Sequence, residues 1–305
     1  MCSSDLMIPG GFDDRDGWIW LDGALVPWRE ARLHLLSHAL HYASAVFEGQ
    51  RAYGGEIFRL TDHSERLHRS AARMGFAIPW SVAEIDQACR DVIAANQFEN
   101  AYFRPIAWRG SETMGVSAQS ARIHLAIAGW HWGAYFSDDG AGRGIRLDVA
   151  AWRRPPPETA PTDAKAAGLY MIATLAKEEA EAKGYDDALM LDWRGQVAEA
   201  TGANIFFVKD RTVLTPTADC FLDGITRRTI IDLARRRGLE VVERAIRPEE
   251  LADFEECFLT GSAAEVAAVG EVGPWTFEIG PVGRQLRADY LDLVGAGADR
   301  TRRAA

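Results

Sequence analysis

Cysteine is sparse and scattered in this 305-residue chain: Cys2, Cys89, Cys220 and Cys257 lie far apart, and none stands in C-x-x-C spacing. That excludes a disulfide framework and a zinc-finger type metal centre, and it leaves buried free thiols. Long apolar runs are missing too, since no stretch approaches the roughly 18 uncharged apolar residues that a membrane span needs. The opening residues 1–5, Met-Cys-Ser-Ser-Asp, lack the basic and apolar regions of a signal peptide, so a cytoplasmic protein is expected. Positive charge is in deficit, with 34 Lys+Arg against 44 Asp+Glu and a net charge of -10. This is the wrong sign for binding nucleic acid through the overall field. No Walker loop, no HExxH helix and no internal repeat occurs.

A 48% hydrophobic and 26% charged composition fills a globular core, and the length suits two domains. Trp18 to Leu21, an Asp22-Gly23 turn and Ala24 to Val26 predict a β-hairpin. Residues 56–60 predict a strand, followed by a helix capped at Thr61 or Asp62 that buries Leu67, Ala71 and Met74. Ser81 with Glu84 is a capping box that opens a second helix burying Ile85, Ala88, Val92 and Ile93. Apolar runs at 101–108 and 121–128 complete a small α+β domain over residues 1–129. The aperiodic, Gly- and Asp-rich segment 130–143 reads as the interdomain linker. Residues 144–305 then predict a large α/β domain: strands at 144–151, 188–192, 204–208, 212–216 and 256–260, with helices near 166–183, 226–237 and 281–293. Strands interspersed with helices point to a mixed, partly antiparallel sheet. The tail 296–305 is expected to fray.

Several residues suggest chemistry without deciding it. Lys165 sits among Ala164, Ala166, Ala167 and Gly168 after a Pro-rich loop, where poor solvation would favour a neutral, nucleophilic amine; taken alone, a solvated lysine at a helix start is the simpler reading. Glu199, flanked by small residues before the run at 204–208, reads as a functional acid or as an exposed turn carboxylate. Gly224-Ile225-Thr226 and Thr260-Gly261-Ser262-Ala263 suit an anion at a turn with free N–H groups, although Thr226 serves as a helix cap without any ligand. Tyr42, Phe47, Trp132 and Tyr135 are core packing or the wall of an apolar pocket.

In combination, the motifs resemble the branched-chain aminotransferases, fold-type IV enzymes that use pyridoxal 5'-phosphate. The resemblance covers nearly the whole chain. It runs in order from His38-Ala39-Leu40-His41-Tyr42 and Val46-Phe47-Glu48-Gly49, through Arg59 to Ser70, to Tyr102-Phe103-Arg104-Pro105 and Trp132-Gly133-Ala134-Tyr135. Trp152-Arg153-Arg154, Lys165 to Tyr170, Glu199 to Asn204, Gly224 to Arg227 and Thr260 to Glu265 complete it.

The resemblance implies that Lys165, in the large domain, carries a Schiff base with the cofactor and then moves the proton between the substrate's Cα and the cofactor. Glu199 is implied to pair with the ring nitrogen, Tyr170 to lie near the phenolic oxygen, and Arg66 with Ile225, Thr226 and Ser262 to hold the phosphate. Tyr42, Phe47, Tyr102, Trp132 and Tyr135 would wall the side-chain pocket, with Gly49 and the Ser262-Ala263 backbone receiving the substrate carboxylate. Arg104 matches the position that accepts the second carboxylate of glutamate. Amino acids and 2-oxo acids are the implied substrates, with a homodimer or higher homo-oligomer and no metal. Leu169 stands where relatives commonly have Asn, and Ser262 where Thr is common. The same fold also serves D-amino acids, (R)-amines and aminodeoxychorismate, which Tyr102-Phe103-Arg104 argues against, and a non-catalytic protein is disfavoured because Lys165 and Glu199 are both present.

Overall fold

Strand pairing in the computed structural model, which describes residues 11–133 and 142–295, sorts the chain into two units. Residues 11–133 together with Ala164–Leu169 make the first; residues 142–163 and 170–295 make the second. Lys165 therefore belongs with the first unit, whereas the sequence places it with residues 144–305. The cause is local pairing. Ala166 forms a β-bridge with Val46, the Lys165 N–H donates to Ser70 Oγ at 3.0 Å, and the Phe47 N–H donates to the Lys165 carbonyl at 3.1 Å. These bonds hold residues 165–166 extended, so the helix predicted from 166 begins later.

The first unit starts with the expected hairpin of β1 (Trp18–Leu21) and β2 (Ala24–Pro27). Asp22 and Gly23 take φ of 49° and 105°, the positive values that a two-residue hairpin turn requires. Then come α1 (His38–Tyr42), β3 (Ala45–Phe47), β4 (Gln50–Tyr53), β5 (Glu56–Ile57), α2 (Leu60–Arg73), α3 (Val82–Asn96), β6 (Ala101–Arg109) and β7 (Ile123–His131). The sheet runs β2-β1-β7-β6-β4-β5, with β3 also on β6. Leu67 and Ala71 of α2 and Ile85, Ala88 and Val92 of α3 bury their apolar faces against Val46, Ala52, Phe103, Leu125 and Ile127. The Ser81–Glu84 capping box forms as predicted.

The α2 cap differs from expectation. Arg59 is the N-cap, at φ 55° and with no side-chain bond, because Thr61 Oγ1 donates instead to Asp86 Oδ2 and Asp62 pairs with Arg59. The strand before it stops at Ile57, short of the expected residue 60. β7 reaches His131, so the sheet extends into the segment expected as linker; residues 134–141 and the tail 296–305 lie outside the described residues.

The second unit comprises β8 (Ile145–Arg154), α4 (Tyr170–Ala182), β9 (Asp187–Asp192), β10 (Val197–Ala200), β11 (Asn204–Lys209), β12 (Thr212–Thr215), α5 (Ile225–Arg236), β13 (Val241–Glu243), β14 (Glu256–Gly261), β15 (Glu265–Val272), β16 (Trp275–Thr276) and α6 (Pro281–Leu293). Its mixed sheet runs β10-β9-β8-β15-β14-β11-β12-β13, with β16 on β15. The β8–β9, β8–β15 and β12–β13 pairs are parallel and the rest antiparallel, as the sequence predicts for this half. Leu147, Leu189, Ile205, Phe207, Leu259 and Val269 form the core. The first-turn N–H groups of α6 are satisfied by the buried Glu256 carboxylate, which accepts from Val282 at 3.1 Å and Gly283 at 2.7 Å.

Candidate active site

In the first unit the polar groups gather where β3 ends. Glu48 follows Phe47 and is fully buried. On α2, His63, Arg66 and Ser70 recur at spacings of three and four, one face of a helix, and that face turns toward Glu48. Arg66 donates from Nε to Glu48 Oε1 at 2.7 Å and from Nη2 to Oε2 at 2.8 Å, and His63 Nδ1 donates to Oε2 at 2.7 Å. Burial pushes the Glu48 carboxyl up, but Arg66 and His63 more than offset it and hold the group well below the ordinary carboxylate range. His63 is lowered by burial, against the opposing pull of Glu48. Arg66 already neutralises Glu48, and a protonated His63 would leave a net charge in the core.

The lowered His63 sets a pH dependence. Below about 6.5 the unfolded chain protonates this histidine while the folded one resists, so the unfolded state binds more protons and stability falls as pH falls. The limit is about 1.4 kcal/mol per pH unit for one group. Denaturant unfolding at pH 7.5 and 5.5 should show His63→Gln losing less stability than the wild type over that step; equal losses would contradict a neutral buried His63.

Arg104 on β6 stands over the Phe47 ring at 4.8 Å and the Tyr102 ring at 5.4 Å, and donates weakly from Nη2 to Tyr102 Oη at 3.4 Å. Its Nε is buried without a hydrogen-bond partner, and among the described residues no carboxylate pairs with it. Tyr102 stacks on Trp132 with ring centres 4.8 Å apart. Gly49 lies against this group, since a Cβ there would collide with the Tyr102 hydroxyl. The Lys165 ammonium nitrogen is 4.9 Å from the Phe47 ring centre. Phe47, Gly49, Tyr102, Arg104, Trp132 and Lys165 thus form one neighbourhood of apolar walls and two cations. Tyr42 stands outside the aromatic stack: it lies on the His38 ring at 4.5 Å and is 42% exposed. Tyr135 falls outside the described residues.

In the second unit three motifs meet at Asn204. Its backbone pairs with Thr260 across β11 and β14, while its side chain donates from Nδ2 to the Leu222 carbonyl at 3.0 Å. A Cβ on Gly224 would strike Asn204 Oδ1, so glycine lets the two approach closely. Gly224 is also the N-cap of α5 and offers no side-chain acceptor to the first turn, where Ile225 and Thr226 are buried. The Thr260 hydroxyl at the neighbouring strand end is buried without a partner, and Ser262 and Ala263 form the turn between β14 and β15. N–H groups at a twelve-residue helix start, a close approach at glycine and unspent hydroxyl capacity fit a phosphate. Glu199 is on β10 rather than in a turn, with its side chain 13% exposed and its Oε1 3.3 Å from Arg154 Nε. That distance is ionic contact only, as Arg154 Nε makes no well-aligned hydrogen bond. Tyr170 opens α4, half-buried.

The family profile described as Amino-transferase class IV matches residues 45–272, from β3 to the end of β15. The chain belongs to the class IV aminotransferases. It is 44% identical over 288 residues to a branched-chain-amino-acid aminotransferase of Pseudomonas aeruginosa, covering 92% of this chain and 94% of that one. Among solved structures, the branched-chain aminotransferase of Thermoproteus uzoniensis with norvaline superposes with a TM-score of 0.88 at 36% identity, over 92% of this chain and 95% of that one. The branched-chain aminotransferase of Escherichia coli also gives 0.88, at 38% identity over 92% and 95%. A further branched-chain amino acid aminotransferase, complexed with N-(5'-phosphopyridoxyl)-L-glutamate, gives 0.87 at 38% identity, over 92% and 94%.

This class IV aminotransferase also holds residues to which the sequence assigned no role. Glu48, His63, Ser70, Arg154 and Asn204 all buttress neighbouring groups. Polar residues repeating at 63, 66 and 70 on an otherwise apolar helix face were the readable signal. A second one is lysine scarcity, because the chain has only Lys165, Lys177, Lys183 and Lys209. The last three are ion-paired to Glu181, Asp148 and Asp253.

Proposed function

We propose that this protein is a pyridoxal 5'-phosphate-dependent transaminase that moves an amino group between branched-chain L-amino acids and 2-oxoglutarate. The observation that carries this reading is Arg104: a half-buried cation over two aromatic rings, with an unpartnered Nε and no carboxylate of the described chain beside it. Such a pocket takes a leucine-like side chain on its apolar walls and a glutamate-like one at its charge. The relatives solved with norvaline and with a phosphopyridoxyl-glutamate support both halves.

When bound, the cofactor supplies an aldehyde to take the amino group and a ring to accept the electron pair left at Cα. Lys165 would hold the aldehyde carbon through its Nζ and, once displaced, would move the proton from Cα to that carbon. Glu199, beside the Arg154 charge, would keep the proton on the ring nitrogen. Tyr170 would hydrogen-bond the ring's phenolic oxygen. Arg66, the N–H groups of Ile225 and Thr226 and the Ser262 hydroxyl are the proposed phosphate ligands. Gly49 and the Ser262-Ala263 backbone would receive the substrate carboxylate, while Phe47, Tyr102 and Trp132 would line the side-chain pocket.

Arg66→Ala should weaken cofactor retention about 10- to 150-fold, the effect of losing one charge-assisted hydrogen bond. Equilibrium titration of the cofactor-free variant checks this, and unchanged affinity with slower proton transfer would contradict the phosphate role. The protein is further proposed to work as a homodimer in the cytoplasm. His38 ties the 33–42 segment to the 110–116 loop through bonds to Gly110 and Gly115, and there Leu35 and Val116 are 73% and 87% exposed beside Leu33, Leu36, Leu40 and Met114. Cys89, Cys220 and Cys257 are unpaired thiols, as in a reducing compartment, and no described helix is long and apolar enough to cross a membrane.

The functional reading is tested by single-turnover reactions with L-leucine, L-glutamate and D-alanine. Both L-substrates should convert the cofactor and D-alanine should not; conversion by D-alanine alone would favour the D-amino-acid reading of the same fold.

A further inference from the structure

Arg66 and Lys165 are anchored to the same two pieces of the first unit. One is the end of β3, where the Phe47 N–H holds the Lys165 carbonyl and the next residue, Glu48, holds the Arg66 guanidinium. The other is α2, which carries Arg66 and, one turn later, the Ser70 hydroxyl that accepts the Lys165 N–H at 3.0 Å. A guanidinium is planar, so pinning Nε and Nη2 on the two oxygens of Glu48 fixes its plane and the direction of Nη1. His63 in turn fixes the Glu48 carboxylate from one side at 2.7 Å, and the Glu48 N–H donates to the Pro105 carbonyl at 2.8 Å from the other.

We propose that Glu48 is a positioning residue that presets Arg66 for the cofactor phosphate and so fixes the span between the phosphate-holding arginine and the aldehyde-holding lysine. The inference rests on the proposed roles of those two residues and adds a group that touches neither cofactor nor substrate. Stability alone does not account for the arrangement, since a buried ion pair contributes little over apolar residues of the same volume. What it secures is geometry: pyridoxal phosphate has a fixed length from aldehyde to phosphate, and Glu48 ties Arg66 to the same strand end that holds the backbone of Lys165. Arg66 and His63 together outweigh the effect of burial and favour the ionised Glu48 that this geometry needs.

The test uses the full-length enzyme freed of cofactor and titrated with pyridoxal phosphate and, separately, with pyridoxal, which has the aldehyde but no phosphate. Absorbance of the lysine-linked cofactor is the readout, so activity is not needed. Glu48→Gln should weaken pyridoxal phosphate binding about 10-fold, the lower end for a charge-assisted bond that is misdirected rather than removed, and leave pyridoxal within about 2-fold. In an Arg66→Ala background the same change should alter the ratio of the two affinities no further. If Glu48→Gln yields no folded protein, Glu48→Asp carries the test, because its carboxylate is one methylene short of spanning Nε and Nη2 and should lower the ratio in the same direction. A wild-type ratio in a folded Glu48 variant, or an equal loss of both ligands, overturns the proposal while the role of Arg66 stands. A wild type that does not prefer pyridoxal phosphate over pyridoxal overturns the phosphate role of Arg66 as well.

Discussion

Lys165→Ala is expected to abolish turnover, with a loss of at least about 10^4-fold, because in the proposed reaction one amine both holds the cofactor aldehyde and moves the proton at Cα. The fold should survive the change. The backbone of residue 165 is held through its N–H by Ser70 and through its carbonyl by Phe47, and neither bond involves the side chain. The proposed phosphate ligands also remain, so the purified variant should still take up some cofactor but without the absorbance of a lysine-linked aldehyde. Steady-state assays with L-leucine and 2-oxoglutarate, paired with spectra of the reconstituted variant, check both parts. A variant with wild-type rates would remove Lys165 from the reaction.

Arg104→Ala should separate the two substrates. Leucine needs the Phe47, Tyr102 and Trp132 walls, whereas glutamate must bring a second carboxylate among them and loses its counter-charge in the variant. Losing a desolvated charge pair costs about 2 to 5 kcal/mol, or roughly 30- to 5,000-fold in kcat/KM for glutamate and 2-oxoglutarate. The leucine half-reaction should fall far less, although removing the cation over Phe47 loosens that ring's packing by about 1 kcal/mol. Parallel losses for both substrates would make Arg104 a structural residue and would withdraw the argument for dual specificity.

Strong local signals made much of this fold legible from sequence. The Asp22-Gly23 hairpin, the Ser81–Glu84 capping box and the helix at residues 281–293 all depend on a few adjacent residues, and all three stand where expected. The elements that lack such signals are harder to read. β13 has three residues, β10 has four, and β15 is built from Ala, Val, Gly and Glu, whose pattern is closer to a loop than to a strand. The cap of α2 lies earlier than expected because Thr61 finds a better partner in Asp86, twenty-five residues away, than in the backbone N–H groups beside it.

The site divides in the same way. The proposed roles of Lys165, Glu199, Arg66 and Arg104 come from motifs that match the family in order. Residues that act through a partner distant in sequence could not be found that way. Nothing near Glu48 in the chain announces a buried acid that accepts from residues 63 and 66, and nothing near Asn204 announces that its amide braces Leu222. Lys165 itself shows how tertiary pairing overrides local preference: a run of small, helix-compatible residues is held extended because Val46, Phe47 and Ser70 supply its bonds.

The central claim, that Lys165 is the amine on which the reaction is run, has a direct measurement. The wild-type enzyme loaded with pyridoxal phosphate is treated with borohydride, digested and mapped by mass spectrometry, and only four lysines can carry the reduced cofactor: Lys165, Lys177, Lys183 and Lys209. The account predicts the added mass on the peptide containing Lys165 and its disappearance when L-leucine is added before the borohydride, since the substrate's amine then displaces the lysine. Label on Lys177, Lys183 or Lys209 in place of Lys165, or label on Lys165 that L-leucine fails to remove, would contradict it.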